Sequence, residues 1–172
     1  MGEVQEQILA FRWGRDKSAY IKYFTDQPER LEELLDCIYR LEAYPIKEYA
    51  SYILTHILKS KAISGLPFYN DLADVLFKTD NQSVLRNVLN CLNQIGIQEY
   101  RESELFDLLI GFIEDASNKV ALQVYSIRWI IKLCEKHPDL ISEVIDIIHL
   151  NKEGKTAAYK IAVGDFERAF PS

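Results

Sequence analysis

The sequence predicts an all-α protein whose helices pair and stack as a solenoid, and three observations support this fold class. One apolar frame occurs three times, anchored at Ile46, Val84 and Val120, which lie 38 and then 36 residues apart. That spacing is the period of a repeat made of two helices. No proline interrupts an apolar run, and no segment alternates apolar and polar residues between tight turns as hairpin strands do.

Each copy of the frame spaces its apolar residues so that they share one face of a helix. The copies comprise Ile46, Ala50, Ile53, Leu54 and Ile57; Val84, Val88, Cys91, Leu92 and Ile95; and Val120, Val124, Ile127 and Ile131. Helical spacing along the chain predicts helices near residues 3–12, 17–25, 28–41, 45–60, 67–78, 81–95, 102–114, 117–135, 138–149 and 154–169. We predict one repeat domain over residues 1–172, with a helical cap at 1–27 and about four antiparallel helix pairs at 28–170.

Residues with special backbone preferences mark the expected helix ends. Proline is tolerated in the first turn of a helix because the N–H that it lacks would be unpaired there. Four prolines stand at such positions: Pro28, Pro45, Pro67 and Pro138. Gly65 and Gly96 follow the ends of apolar runs, so we expect both to adopt the left-handed conformation of a C-terminal cap.

Composition limits the class of protein. The chain has 172 residues, of which 48% are hydrophobic, and this suffices for one well-buried domain. Glu3 and Glu6 stand where a signal peptide would be basic, and no apolar run reaches the roughly 18 residues of a membrane span. Cys37, Cys91 and Cys134 are odd in number and lie in apolar helical patterns. We therefore expect buried, reduced thiols and a cytoplasmic location.

An Asp in the turn, followed by an apolar and a basic residue early in the second helix, forms a further pattern. It is found at Asp80, Val84 and Arg86 and more loosely at Asp115, Lys119 and Val120. On these residues the chain resembles the HEAT-repeat and armadillo-like class over residues 28–170. The resemblance implies a right-handed α-α superhelix of about four HEAT-like helix pairs, with the second helices along its concave surface. It implies an architecture rather than an activity, since the class includes scaffolds, transport receptors and a few enzymes.

The resemblance makes a strip along the second helices a candidate binding surface. Counting three, six and ten residues past each anchor gives Tyr49, Tyr52 and His56; then Asn87, Asn90 and Gln94; then Gln123, Ser126 and Ile130. Amides can bond both the donors and the acceptors of a peptide, and Tyr offers broad contact area with little rotamer entropy to lose. The strip therefore suits peptide recognition. The alternative is that its uncharged polar residues only solvate an exposed helix face.

Arg128 breaks the apolar frame, because the equivalent positions of the other copies hold Leu54 and Leu92. Outward rotation of the helix, or a pair with a nearby acid such as Asp115 or Glu114, would be a structural explanation. The functional interpretation is an arginine held at a repeat junction to receive an acidic partner, with help from the adjacent Trp129.

The sequence carries no strong signal for catalysis, a cofactor or a metal. Gly154, Lys155 and Thr156 are similar to the end of a phosphate-binding loop, but no strand precedes them and the required earlier glycine is missing. His56 has no second His, Cys or carboxylate at helical spacing that would complete a metal site. Glu102 is one of several acids at a helix start, where the helix dipole explains them. We expect no cofactor, no metal and no catalytic residue.

The charge pattern argues against nucleic acid as the partner. Residues 66–115 hold nine acids and three bases, a net charge of −6 that equals the formal charge of the whole chain. A nucleic-acid binder needs a basic stripe that neutralises phosphates. Basic residues gather mildly near the N-terminus, at Arg12, Arg15, Lys17 and Lys22 around Trp13. A helical cap over the first repeat explains that end better than contact with RNA or an acidic protein.

The sequence therefore favours a non-catalytic protein-interaction module or scaffold that binds a peptide or protein on the second-helix face. The candidate contact residues are Tyr49, Tyr52, His56, Asn87, Asn90, Gln94, Gln123, Arg128 and Trp129. A HEAT-like enzyme or nucleic-acid-processing factor is the alternative. Self-association as a homodimer is a third possibility, because the last face of a solenoid can pair symmetrically.

Overall fold

A computed structural model of the protein describes residues 2–11, 16–150 and 155–171. Within these ranges the backbone forms α-helices, short 3₁₀ turns and loops, without a β-strand, and this confirms the all-α class. Arg12, Trp13 and Arg15 of the basic N-terminal group, and Gly154, lie outside the described residues. The chain divides into two compact units, Met1–Ile95 and Gly96–Ser172.

The first unit consists of two short helices followed by two helix pairs. Its helices are α1 (Glu3–Ala10), α2 (Lys17–Thr25), α3 (Pro28–Tyr39), α4 (Ile46–Lys59), α5 (Tyr69–Val75) and α6 (Gln82–Ile95). The pairs α3–α4 and α5–α6 lie side by side, so that α3 contacts α5 in one layer and α4 contacts α6 in the other. Helices α1 and α2 pack on both α3 and α4, where they cover one side of the first pair.

Local sequence sets the helix ends in this unit. Pro28 is the first residue of α3, where its missing N–H leaves no bond unmade. Pro67 lies in a 3₁₀ turn that leads into α5. Asn81 precedes α6, and its Oδ1 accepts hydrogen bonds from the backbone N–H groups of Ser83 and Val84 at 3.0 and 3.1 Å. These two bonds satisfy donors that the first turn of a helix otherwise leaves unpaired.

The apolar frame forms the interior of the first unit. Its members at most 1% exposed are Ala50, Ile53, Leu54 and Ile57 of α4, and Val84, Val88, Cys91 and Leu92 of α6. Full burial of one aliphatic side chain contributes about 1.5–3 kcal/mol. The stripe that identifies the helices in the sequence is therefore also what holds the two pairs together. The three cysteines are buried and unbridged, as the sequence predicts.

The two glycines at helix ends differ from each other. Gly96 has a φ of 93°, the left-handed conformation expected of a cap. The same expectation for Gly65 is wrong: its φ is −85°, and the left-handed residue after α4 is Lys61, with a φ of 58°. Gly65 instead provides space, because a Cβ at this position would overlap Cγ1 of Ile95 and lie 2.8 Å from its Cδ1.

The second unit contains two further helix pairs. Its helices are α7 (Glu102–Glu114), α8 (Val120–Lys136), α9 (Ile141–Leu150) and α10 (Ala157–Ala169). Helix α8 contacts α7 and α10, and α7 contacts α9, so first and second helices again form separate layers. Trp129, Tyr159 and Phe166 fill the core and are 0% exposed. Val120 and Ile131 of the apolar frame are only half-buried.

The packing at Gly65 predicts opposite effects of adding one methyl group at two glycines. Gly65→Ala should lower the free energy of unfolding by about 1–3 kcal/mol, because Ile95 must move to make room. Gly111→Ala is the matched control: it lies within α7, and an added Cβ has nothing within 4 Å. Helix propensity alone then predicts a gain of about 0.5–1 kcal/mol. Urea unfolding followed by circular dichroism measures both changes.

A second substitution tests the cause of the loss at Gly65. Combining Gly65→Ala with Ile95→Ala should show a favourable coupling in a double-mutant cycle, because the shortened side chain leaves room for the new methyl group. A Gly65→Ala variant as stable as the unchanged protein would contradict the packing explanation. So would a loss that Ile95→Ala does not relieve.

Candidate interaction surface

The candidate surface lies on α4 and α6 of the first unit, which are joined by a polar seam. Nδ2 of Asn87 donates to Oγ of Ser51 at 3.1 Å and to the backbone O of Glu48 at 3.4 Å. Nδ2 of Asn81 donates to Oε1 of the same Glu48 at 2.6 Å. Asn87 and Ser51 are 4% and 0% exposed. Because buried polar groups must find partners, Asn87 is a structural amide that holds α6 on α4.

Further along α6, two amides stay at the surface. Nε2 of Gln94 donates to the backbone O of Thr55 at 3.2 Å and to Oδ1 of Asn90 at 3.3 Å. Gln94 is exposed and Asn90 is half-buried. Since both side chains reach solvent, they can also exchange hydrogen bonds with a bound peptide.

An aromatic group on α4 lies beside the seam. The rings of Tyr52 and His56 meet edge-on with their centroids 4.5 Å apart. The ring of Phe11 lies 5.7 Å from that of Tyr52 and also contacts Tyr20 of α2 at 4.8 Å. Tyr49, Tyr52 and His56 are each half-buried. The N-terminal helices therefore support this face of α4 from one side and leave part of each ring accessible.

The surroundings of His56 favour its neutral form. Burial, together with the positive charges of Lys17 and Lys59, holds the pKa of His56 below its ordinary value of 6.5. Its Nε2 is buried, and no hydrogen-bond partner for it lies within the part of the chain that the structure describes. Lys17 and Lys59 themselves are exposed. Positive charge at the surface therefore disfavours protonation of the ring.

Arg86 brings a third cation to this face from α6. Its Nε and Nη2 donate to Oδ1 of Asn87 at 3.2 and 3.1 Å, which fixes the guanidinium beside the seam. Burial raises the pKa of Tyr52, and the charge of Arg86 opposes that rise. Three cations therefore lie around the aromatic pair.

Three of the candidate contact residues, Asn87, Gln123 and Trp129, are buried. Trp129 is 0% exposed and is the largest fully buried side chain among the described residues. Gln123 is 0% exposed, and its Nε2 donates to two backbone carbonyls at the end of α7, each at 3.1 Å. Ser126 and Ile130 of the same register are also 0% exposed. The expectation that Asn87, Gln123 and Trp129 line an exposed surface is therefore wrong, because each fills an interior position.

Arg128 lies on the outside of α8. Its side chain is exposed, and its guanidinium carbon lies 5.6 Å from the centroid of the Tyr125 ring. Leu54 and Leu92, its equivalents in the apolar frame, are 0% exposed. The frame position that is buried in α4 and α6 therefore faces solvent in α8. This agrees with outward rotation of the helix, the first of the two structural explanations for Arg128. The cation–π contact with Tyr125 keeps the charge at the surface of the second unit.

The second unit also has a pocket, lined by both polar and apolar side chains, that the sequence does not predict. A cavity of about 360 Å³ is lined by Glu102, Ser103, Phe106, Leu133, His137, Asp139 and Leu140. Oε1 of Glu102 accepts a hydrogen bond from Nζ of Lys136 at 2.6 Å, and its Oε2 lies 3.1 Å from Nε2 of His137. Burial raises the pKa of Glu102, but the hydrogen bonds from Lys136 and His137 outweigh it and hold the pKa below 4.5. Glu102 and His137 are 35 residues apart, so no local motif connects them.

The repeated helix pairs have a counterpart among known families. A family model of the HEAT repeat domain matches residues 8–164. The chain belongs to the HEAT repeat family. The match includes helix pairs of both units. It confirms the resemblance to HEAT repeats that the turn and frame residues indicate. Comparison with curated proteins and with solved structures found no match.

The described residues bear on two further structural features: a group of metal-ligating side chains and a membrane-spanning helix. Within residues 2–11, 16–150 and 155–171, no three His, Cys, Asp or Glu side chains are grouped so as to hold a metal ion. Nor does any helix in these ranges combine the length and apolar character needed to cross a membrane.

The seam predicts that one amide of α6 matters for stability and another does not. Asn87→Ala should lower the free energy of unfolding by about 1–3 kcal/mol, because the buried Ser51 and the Glu48 carbonyl lose their donor. Gln94→Ala, on the same helix but exposed, should cost about 0.5 kcal/mol or less. Chemical denaturation of the two variants measures the difference. Equal losses would contradict the structural role of Asn87.

The cations around His56 predict a shift in its titration. Lys59→Gln should raise the pKa of His56, because removal of a nearby positive charge favours the imidazolium form. Lys78→Gln, at an exposed position in the same unit, should leave that pKa unchanged. NMR titration of the imidazole protons measures both.

The same shift sets the sign of the pH dependence of stability. Because the pKa of folded His56 lies below that of the unfolded chain, the unfolded state takes up the proton first. Stability should therefore fall as the pH drops through 6.5, and Lys59→Gln should reduce that fall. An unchanged pKa in Lys59→Gln would show that Lys59 does not act on His56.

Proposed function

We propose that this HEAT repeat protein is a protein-interaction module that binds a peptide or protein surface on the α4–α6 side of its first unit. HEAT repeats present extended surfaces suited to such binding. The observation that carries the proposal is the combination of half-buried aromatic rings and solvent-reaching amides on two adjacent helices. The proposed contact residues are Tyr49, Tyr52, His56, Asn90 and Gln94.

The contacts within this face support the proposal because they hold the side chains in place before any partner binds. Tyr52 lies between His56 and Phe11, with ring centroids 4.5 and 5.7 Å away. Gln94 is tied to the backbone of Thr55 at 3.2 Å. Side chains that are already ordered lose little entropy on binding, so more of the contact energy appears as affinity.

Arg128 offers a separate contact in the second unit. It is exposed and lies against the ring of Tyr125. A guanidinium can bond a carboxylate through two parallel N–H groups, which suits an acidic side chain of a partner. We assign Arg128 to the same interaction role on these grounds. We also propose a cytoplasmic location for the protein, because its three unbridged cysteines are consistent with a reducing compartment.

Removal of the central ring and amide tests the proposal. The bait carrying Tyr52→Ala and Asn90→Ala should lose partners that the unchanged protein captures from the native lysate. With a purified partner, the affinity should fall by about 30-fold or more, the loss expected when a central contact is truncated. Quantitative mass spectrometry of the captured proteins, followed by calorimetry with one of them, measures the effect.

The matched control carries two substitutions on the first-helix layer of the same unit, Glu32→Ala and Glu33→Ala, both at exposed positions of α3. It should capture the same partners as the unchanged protein, and both baits must show intact helical unfolding transitions. An unchanged partner set and affinity for the Tyr52→Ala, Asn90→Ala bait would overturn the proposal. Retention of DNA or RNA instead of protein at low salt would favour the nucleic-acid alternative. Light scattering tests self-association, because a second copy of the chain as partner would double the measured mass.

A further inference from the structure

Charge is separated between the two helix layers of the first unit. Helices α3 and α5 carry six acids and one base, a net charge of −5. Helices α4 and α6 carry three bases and one acid, a net charge of +2, and Lys17 at the start of α2 adds a further base. The whole chain has a formal charge of −6. The proposed binding face is therefore positive in a protein that is otherwise negative.

The cations of this face converge on its aromatic pair. Lys59 follows His56 by three residues on α4, a spacing that places both side chains on one side of the helix. Lys17 begins α2, which packs on α4, and its charge acts on His56. Arg86 is fixed from α6 by its two hydrogen bonds to Asn87.

The one acid of α4 and α6 is engaged within the protein. Oε1 of Glu48 accepts a hydrogen bond from Nδ2 of Asn81 at 2.6 Å. This bond directs the carboxylate toward the start of α6. Glu48 keeps its charge, but the net charge of +2 on α4 and α6 already counts it, so the cations outnumber the acid on these two helices.

We infer that the segment bound on this face is an acidic stretch of a partner protein, whose carboxylates are held by Lys17, Lys59 and Arg86 while the rings of Tyr52 and His56 contact its apolar atoms. The inference rests on the proposed function and specifies the chemistry of its partner. Complementary charge speeds association because it attracts the partner toward the face. It also selects the partner, because segments of like charge are repelled.

A polypeptide fits this face better than a nucleic acid does. Three cations grouped on one face can meet the carboxylates of a short segment, whereas a nucleic-acid strand carries phosphates along its whole length and needs a continuous basic groove. The acidic layer formed by α3 and α5, with its net charge of −5, repels a long polyanion. A short acidic segment can remain on the positive face and avoid that repulsion.

A binding assay with synthetic probes tests the inference directly. The probe is a short fluorescein-labelled peptide of alternating Glu and Tyr, compared with a Lys and Tyr peptide of equal length. Fluorescence anisotropy should show binding of the acidic probe alone, weakening as salt is raised because exposed charges are screened. The variant Lys17→Glu, Lys59→Glu, Arg86→Glu should lose about tenfold or more of the affinity.

The matched control reverses three exposed cations of the same unit that are not among the proposed contacts: Lys22→Glu, Arg40→Glu and Lys78→Glu. Its net charge equals that of the test variant, so a general charge effect would weaken both equally. Circular dichroism confirms that each variant is folded. As an independent readout, saturation with the acidic probe should raise the pKa of His56 in NMR titrations, because the bound carboxylates offset the charges of Lys17 and Lys59.

Equal affinity of the two charge-reversed variants, or preference for the Lys and Tyr peptide, would overturn the inference. Displacement of the acidic probe by an equal charge concentration of single-stranded RNA would also overturn it. Failure of this inference is distinguishable from failure of the proposed function. A captured partner that depends on Tyr52 and Asn90 but is insensitive to reversal of Lys17, Lys59 and Arg86 leaves the interaction role standing and refutes only the acidic character of the partner.

Discussion

The side-by-side packing of α4 and α6 is the contact on which the rest of the first unit depends. Its apolar stripe removes Leu54, Val88 and their neighbours from water, and this supplies most of the driving force for stacking the two pairs. The buried amide of Asn87 adds directionality, because it is satisfied only where it meets Ser51 and the Glu48 carbonyl. Apolar contact alone would tolerate a helix that slides by one turn, whereas a paired amide in the interior does not.

The candidate surface follows from that register. With α6 placed on α4, Gln94 reaches the Thr55 carbonyl and Arg86 comes beside Tyr52. The N-terminal helices add Phe11 and Lys17 from the other side of α4. The layered arrangement also collects positive charge on the second helices and negative charge on the first ones. One arrangement of helices thus provides the stability of the unit, the shape of its exposed face and the sign of its potential.

Much of the fold can be predicted because an amphipathic helix requires a particular spacing of apolar residues along the sequence. Residues three and four apart share a helix face, so the apolar frame and the prolines were enough to predict the helices and most of their ends. The site is harder to predict, because a polar side chain on a helix is not always an exposed one. Asn87 and Gln123 are polar and buried, because each finds hydrogen-bond partners on another helix. The role of Gly65 depends on a distant contact in the same way: its need for a small side chain comes from Ile95, thirty positions further along the chain.

The sequence by itself determined the all-α class, the pairing of helices and their repeat period, since each depends on spacing within one or two helices. Only the tertiary structure decided which side of each helix meets solvent. It buried Asn87 and Trp129, turned Arg128 outward and joined Glu102 to His137. The physical reason is that exposure depends on what another helix places opposite a side chain, as Ser51 does for Asn87 from 36 residues away. Periodicity within a helix records which residues share a face, whereas the neighbour that covers the face is set by packing.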